Sequence, residues 1–255
     1  MKPNDRDGMV TYSKSAPMLD LPPPFRLVAL REVGDAFAHA QAIAPETGAG
    51  TLVHVGRFDL AEFAVVLEPD EPLARARRVF YHCMVALCDA LTAHAPPERP
   101  IAVGWPDAIH VDGGLIGGGR LGWPAGTTET AVPDWLVFGV SVRLVSLGKD
   151  EAGLHPLATA LGEEGFVDLG SGGLAETFAR HLMLALDAWH TGDLGSVAKR
   201  YLDLLRVEKG AIPSLSAEGD LLVQWRGQAE PDRHKLSAAL VTASWLDPES
   251  GGPRL

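Results

Sequence analysis

The chain has 255 residues, a formal net charge of -11, 46% apolar and 22% charged side chains. That balance suits a globular chain with a sizeable core, and it excludes partners that need clustered basic groups, namely a nucleic-acid backbone or an anionic membrane surface. No apolar run is long enough to span a bilayer, the N-terminus lacks the apolar core of a signal peptide, and Cys83 and Cys88 have neither disulfide nor zinc spacing, which points to a reducing cytoplasm.

Residues 1–24 are polar and then proline-rich at Pro22-Pro23-Pro24, and read as a tail or an extended lead-in. Phe25 to Leu30 reads as a strand. Glu32 to Ala44, with Phe37, Ala40 and Ile43 at helical spacing, reads as a helix. Asp35 near its start is either its cap or a residue aimed into a pocket. Gly48 to Gly50 break the helix. Thr51 to Val55 alternates as a strand and ends at Gly56-Arg57, and Phe63 to Leu67 is apolar enough for a central strand. Arg57, in the loop between them, suits a phosphate or carboxylate because guanidinium donates two parallel hydrogen bonds; the plain alternative is a solvated loop residue. Pro72 to Ala95 is the clearest helix, with Leu73, Ala76, Phe80, Met84, Leu87 and Leu91 on one side and Arg75, Arg77 and Arg78 on the other. Its cysteines read as packing, and His82 and His94 as surface or capping residues without metal spacing.

The next stretch, Ile101 to Trp123, organises the chain. Two apolar runs, Ile101–Trp105 and Ala108–Val111, are separated by Pro106-Asp107, and Asp112-Gly113-Gly114 turns the second back on itself. The returning arm holds Leu115-Ile116, three glycines, Gly117, Gly118 and Gly119, and then Arg120. Glycines give up side-chain packing where another backbone or a ligand must come close. This is a bulged hairpin or the floor of a ligand site ending in a cation.

Gly122 to Pro133 reads as a loop. Asp134 to Leu144 reads as a strand, with Arg143 crossing it as an exposed residue. Gly148 to Gly172 is irregular and acidic, with a possible short helix at Leu157–Leu161. A strong helix follows over Gly173–His190, with Phe178, Leu182, Leu186 and Trp189 on one face. Asp193 or Ser196 caps a further helix carrying Val197, Tyr201, Leu204 and Leu205. From Val207 the texture changes to short strands and turns, such as Ala217–Asp220 before Leu221–Trp225, and a small β domain is expected. Leu236–Leu246 reads as its last strand or a helix, and Asp247–Leu255 as a tail.

The hairpin resembles the signature of the biotin and lipoate protein ligases: Lys-Trp-Pro-Asn-Asp, a strand, an Asp-Gly turn, then Lys-Ile-x-Gly. Trp105-Pro106, Asp112-Gly113 and Leu115-Ile116-Gly117 match it. Gly104 replaces the first lysine, Asp107 the Asn, Ala108 the Asp, and Gly114 the catalytic lysine. Elsewhere Val33-Gly34-Asp35 stands near the family's Ser-Thr-Asn. Gly56-Arg57-Phe58-Asp59-Leu60 is a shrunken form of the Gly-Arg-Gly-Arg-Arg-Gly loop that covers the acyl-adenylate, and Ser141-Val142-Arg143 lacks the family's Asn.

The resemblance implies an α+β fold, a mixed, mainly antiparallel sheet backed by helices, related to class II synthetase catalytic domains. It divides the chain into a tail at 1–24, a ligase-like domain at 25–205, and a small SH3-like β domain and tail at 206–255. It implies coupling of biotin or lipoate to AMP with ATP and Mg²⁺, then transfer to a lysine of a biotinyl- or lipoyl-carrier domain; a related branch transfers octanoyl groups from a thioester. The implied ligand-binding residues are Gly56, Arg57, Trp105, Asp107, Gly114, Leu115, Gly117, Gly118 and Gly119. Arg120 is the implied catalytic cation, since an offset of six on a regular strand returns to the face of position 114 unless a bulge breaks the parity. Asp107 adds negative charge where phosphate would lie. Three readings follow: a divergent ligase or acyltransferase, a catalytically degenerate binder of an acyl or nucleotide ligand or of a carrier, and a structural subunit.

Overall fold

The structure is a computed structural model that describes residues 19–31, 34–146, 157–191 and 194–255. The N-terminal tail through residue 18, Val33, residues 147–156 of the acidic stretch, and Asp193 as a cap lie outside the described residues.

A seven-stranded sheet runs in the order β1-β2-β3-β7-β6-β5-β4. Its strands are β1 (Arg26–Leu30), β2 (Thr51–Val55), β3 (Leu60–Leu67), β4 (Ile101–Gly104), β5 (Ala108–Val111), β6 (Gly114–Gly122) and β7 (Leu136–Arg143). Only β1 and β2 pair in parallel; the remaining neighbours are antiparallel, giving the expected mixed, mainly antiparallel sheet. β3 and β7 are central and buried along their whole length. Period-two alternation sends their residues to two different layers. Phe63, Val65 and Phe138 join the main core with α3 (Val79–Thr92) and α4 (Ser171–His190). Ala64, Val66 and Val137 face the other way, toward α1 (Ala36–Thr47). Ala36, Ala40 and Ala44 recur every four residues along α1 and let it sit close to the sheet.

The long helix expected from Pro72 breaks into α2 (Leu73–Ala76) and α3. Arg77, at the break, is buried rather than solvated: its guanidinium donates to Glu129 and to Leu73 O. His82 is likewise buried, with Nδ1 donating to Ala185 O at 2.9 Å, so it is not a surface residue. Cys83 and Cys88 are packed as expected, and burial pushes both thiols up, leaving no ready nucleophile. Leu157–Leu161 is extended, not helical. Its Leu157 O accepts from Leu115 N at 2.7 Å, and Leu115 O accepts from Thr159 N at 3.0 Å.

After α5 (Leu194–Leu204), β8 (Ala211–Leu215), β9 (Leu221–Trp225) and β10 (Asp232–His234) form a separate antiparallel sheet of three strands. Tyr81 of α3 donates its hydroxyl to Gly219 O at 2.6 Å and fastens this sheet to the large one. A single helical turn, α6 (Leu236–Ala239), follows. The chain then returns to the large sheet, so Asp247–Leu255 is not a loose tail. Arg143 is buried beneath it rather than exposed, and donates to Pro253 O at 2.7 Å and Arg254 O at 3.3 Å.

Candidate functional site

The sheet face opposite the main core is covered in two halves. α1 covers one half. Residues 243–254 cover the other, with Trp245 over β5 and β6 and Pro253 over Arg143 of β7. A chain of charged groups lies along the seam. Arg120 of β6 stacks on Phe37 with its guanidinium 4.2 Å from the ring centre, and donates to Asp35 Oδ1 at 2.7 Å. Asp35 is also the α1 cap, accepting from Phe37 N at 2.9 Å and Ala38 N at 3.0 Å, so it holds both roles the sequence left open. Glu62 of β3 accepts from Ala36 N at 2.9 Å. Arg57 donates twice to Asp59, at 3.0 and 2.6 Å, and reaches Glu62 at 3.7 Å.

Two guanidiniums thus face three carboxylates. Hydrogen bonds from Arg57 hold the Asp59 carboxyl below its ordinary range. Burial pushes the Glu62 carboxyl up, against the pull of Ala36 N–H. Both cations are already satisfied by anions of the chain. Triphosphate of Mg²⁺-ATP would have to displace those carboxylates and lie beside them, so the seam does not fit it. Among the described residues no cluster of three His, Cys, Asp or Glu side chains is arranged to hold a metal ion.

The glycine run is divided among three tasks. Gly117 has φ +141°, and a Cβ there would sit 2.0 Å from Ser141 O, so it allows a close backbone approach at a bulge. Gly118 admits the backbone oxygen of Asp107, 2.0 Å from where its Cβ would be, and the Trp245 ring, whose atoms lie 2.5 Å away. Gly119 admits Phe138 and Met84 of the main core. Only Gly118 therefore belongs to the covered face. Ser141, its register partner on β7, has a buried hydroxyl with no hydrogen-bond partner among the described residues. Asp107, also buried, accepts from Ser244 N at 2.8 Å and Ser244 Oγ at 2.5 Å. Desolvation pushes its carboxyl up to about 6, opposed by the Ser244 bonds.

The bulge lies between the pairs Ile109–Gly117 and His110–Leu115, and it breaks the expected parity. Leu115 joins Trp245 on the covered face and Ile116 joins the main core, which leaves Gly114 on the face opposite Arg120. Position 114 is also closed. A Cβ there would meet Thr159 Cγ2 at 2.6 Å, so no side chain grows from it in this arrangement. Trp105 is not on the covered face either: its Nε1 donates to Tyr81 OH at 3.2 Å, and its ring lies 5.9 Å from that of His234 in the small sheet. Gly56 closes the end of β2, its N–H donating to Leu30 O at 3.1 Å. Of the predicted residues, the structure brings Arg57 and Arg120 onto one seam, with Gly118, Asp107 and Leu115 beside the C-terminal segment.

Sequence reasoning missed Glu62, Ser141, Ser244 and Trp245. Glu62 and Ser141 did carry a signal, since each interrupts an otherwise apolar strand that must be buried. Ser244 and Trp245 carried none, because their partners stand more than a hundred residues away.

A family model described as the Biotin/lipoate A/B protein ligase family matches residues 21–203. The chain is 28% identical to a biotin protein ligase-like protein of unknown function from Silicibacter sp. TM1040, with a TM-score of 0.75 over 88% of this chain and all of that one. The biotin protein ligase of Aquifex aeolicus is 14% identical, with a TM-score of 0.65 over 82% of this chain and 95% of that one. A Leishmania major biotin protein ligase in complex with biotinyl-5-AMP is 16% identical, with a TM-score of 0.55 over 83% and 99%. At those identities the two ligases share the fold. No curated protein matches the chain.

Proposed function

The chain belongs to the Biotin/lipoate A/B protein ligase family, and we propose that within it this protein binds a biotin- or lipoate-like acyl ligand, free or on a carrier domain, without activating it through ATP. One observation carries the reading: at the seam, where the charge of adenylation would develop, both guanidiniums are already held by carboxylates of the chain. Arg57 and Arg120 are held by Asp59, Glu62 and Asp35, and position 114 is filled by Thr159. A preorganised donor aimed at developing charge is commonly the largest single source of acceleration, and losing one costs ~10²–10³ in rate. The acyl chain needs no such cation, since an apolar floor suffices to hold it. We assign the protein to the cytoplasm, in keeping with its two reduced, buried cysteines.

The ligase reading, attachment of a biotinyl, lipoyl or octanoyl group to a carrier lysine through an acyl-adenylate or a thioester, makes a different prediction. Full-length protein is incubated with biotin, lipoate or octanoate, Mg²⁺-ATP and carrier domains, then with acyl thioesters in place of acid and ATP. Pyrophosphate release and carrier mass are followed beside calorimetric binding of each acid. The expected result is saturable binding with neither pyrophosphate nor a heavier carrier. A carrier that gains an acyl mass, from either donor, establishes the ligase or transferase reading instead.

A further inference from the structure

Residues 243–254, which roof one half of the face, lie outside the stretch that the family model spans. Trp245 heads the fully buried side chains by size, yet it does not belong to the main core. It heads a small separate cluster with Ala108 and Ala243, flanked by Leu115 and Leu246. Its ring lies over Gly118, where a Cβ would also meet the backbone oxygen of Asp107 at 2.0 Å, and its Nε1 donates to Gly119 O at 3.0 Å. Ser141, paired in register with Gly118 and on the same face, keeps a buried hydroxyl with no partner among the described residues. Leaving such a group unpaired is a standing cost to the fold. A core does not gain from a buried orphan hydroxyl beside a ring that stands outside the main cluster, whereas a site for a polar-edged ring does. The lid is held by a polar clasp, Ser244 on Asp107, and by Arg143 gripping the carbonyls of Pro253 and Arg254.

Taking the binding reading above as its premise, we propose that Ser244-Trp245 is an internal stand-in for the ligand. The indole occupies the ligand site, and a flat bicyclic ligand with an N–H donor enters by displacing it, giving Gly119 O a new donor and Ser141 Oγ a partner. This sets a preference among the acyl groups. The fused ring of biotin carries ureido N–H groups, while the dithiolane of lipoate and the chain of octanoate carry none. The site therefore takes biotin-type rings, and the C-terminal segment sets how readily.

The test is isothermal calorimetry of full-length protein and of Trp245→Ala with indole, biotin, lipoate and octanoate. The proposal expects indole to bind the variant saturably and at least tenfold tighter than the native chain. It expects biotin to gain at least tenfold and lipoate and octanoate to gain less. Biotin binding with equal affinity to both proteins overturns the stand-in, as does a variant that neither takes up indole nor gains affinity for biotin. Indole uptake by the variant, with no acyl ligand binding either protein, upholds the stand-in and defeats the acyl-binding reading. Should Trp245→Ala fail to fold, hydrogen exchange of the native chain decides. Exchange of the Ser244 and Trp245 amides by local opening, well ahead of the β6 amides, upholds the proposal, and exchange only together with β6 overturns it.

Discussion

The two halves of the covered sheet face are built on opposite plans. Under α1, Ala36, Ala40 and Ala44 lie on the apolar Val53, Ala64, Val66 and Val137, and Phe37 lies over Gly139 and Gly122 at the edge of that packing. Under the C-terminal segment, one large ring meets bare backbone at Gly118, and polar groups do the fastening. The first half is close-packed and adjacent in sequence to two of the strands it covers, β2 and β3. The second is closed by a segment whose partners lie 110 to 137 residues earlier. Removal of α1 would strip a core, whereas removal of the segment would uncover a surface already equipped with an acceptor and a hydroxyl.

The sharpest way to break this contrast is Trp245→Ala measured by urea unfolding. The expected loss is ~3 kcal/mol, at the low end for truncating a buried tryptophan, because water entering the vacated site finds Gly119 O and Ser141 Oγ. A loss near 5 kcal/mol would make this half as core-like as the other. The next effect is a pH dependence. The Asp107 carboxyl stands at about 6 in the fold against an ordinary 3.8, so the folded state holds its proton more tightly than the unfolded chain does. Stability therefore falls as pH rises through that window, is lower above it, and is fully restored below it. At ~1.4 kcal/mol per unit the window is worth roughly 3 kcal/mol at most. Comparison of native protein with Asp107→Asn from pH 4 to 7 should show this slope removed in the variant.

On the α1 side, Ala40→Leu should cost about 2 kcal/mol by overpacking a contact with no slack, read as a lower urea midpoint. A neutral outcome would mean that α1 rides as loosely as the segment opposite. The smallest effect is at the seam. Asp35→Ala removes the α1 cap and the partner of Arg120, for about 1 kcal/mol in stability; the half-exposed ion pair adds little. The same variant frees Arg120, so it should strengthen the binding of a carboxylate ligand in a titration. Unchanged affinity would show that the guanidinium does not face the ligand.

The seam explains what was legible beforehand. The strands, α1 and the hairpin at Asp112-Gly113 follow from local periodicity and turn chemistry, which neighbouring residues settle among themselves. The small sheet was legible for the same reason. Arg77, His82 and Arg143 were misplaced because a polar side chain reads as exposed unless its partner is known: His82 and Arg143 find backbone carbonyls, and Arg77 the Glu129 carboxylate, supplied by another part of the chain. The parity of Gly114 and Arg120 failed at a single bulged residue, since one extra residue exchanges the faces of everything beyond it. Trp245 is the extreme case, a buried ring in the stretch Leu236–Leu246, which reads as a strand or a helix but forms only the turn of α6 before Trp245.

Arg143 gives the fold a direction in time. Chains emerge and fold from the N-terminal end. The strands of the large sheet and the guanidinium of Arg143 are therefore made long before Pro253 and Arg254, whose carbonyls it grips. Until residues 243–254 have been made, the nascent chain carries an open face with Gly118, Ser141 and a guanidinium that still lacks two of its carbonyl partners. Closing that face waits for residues made long after the strands beneath it.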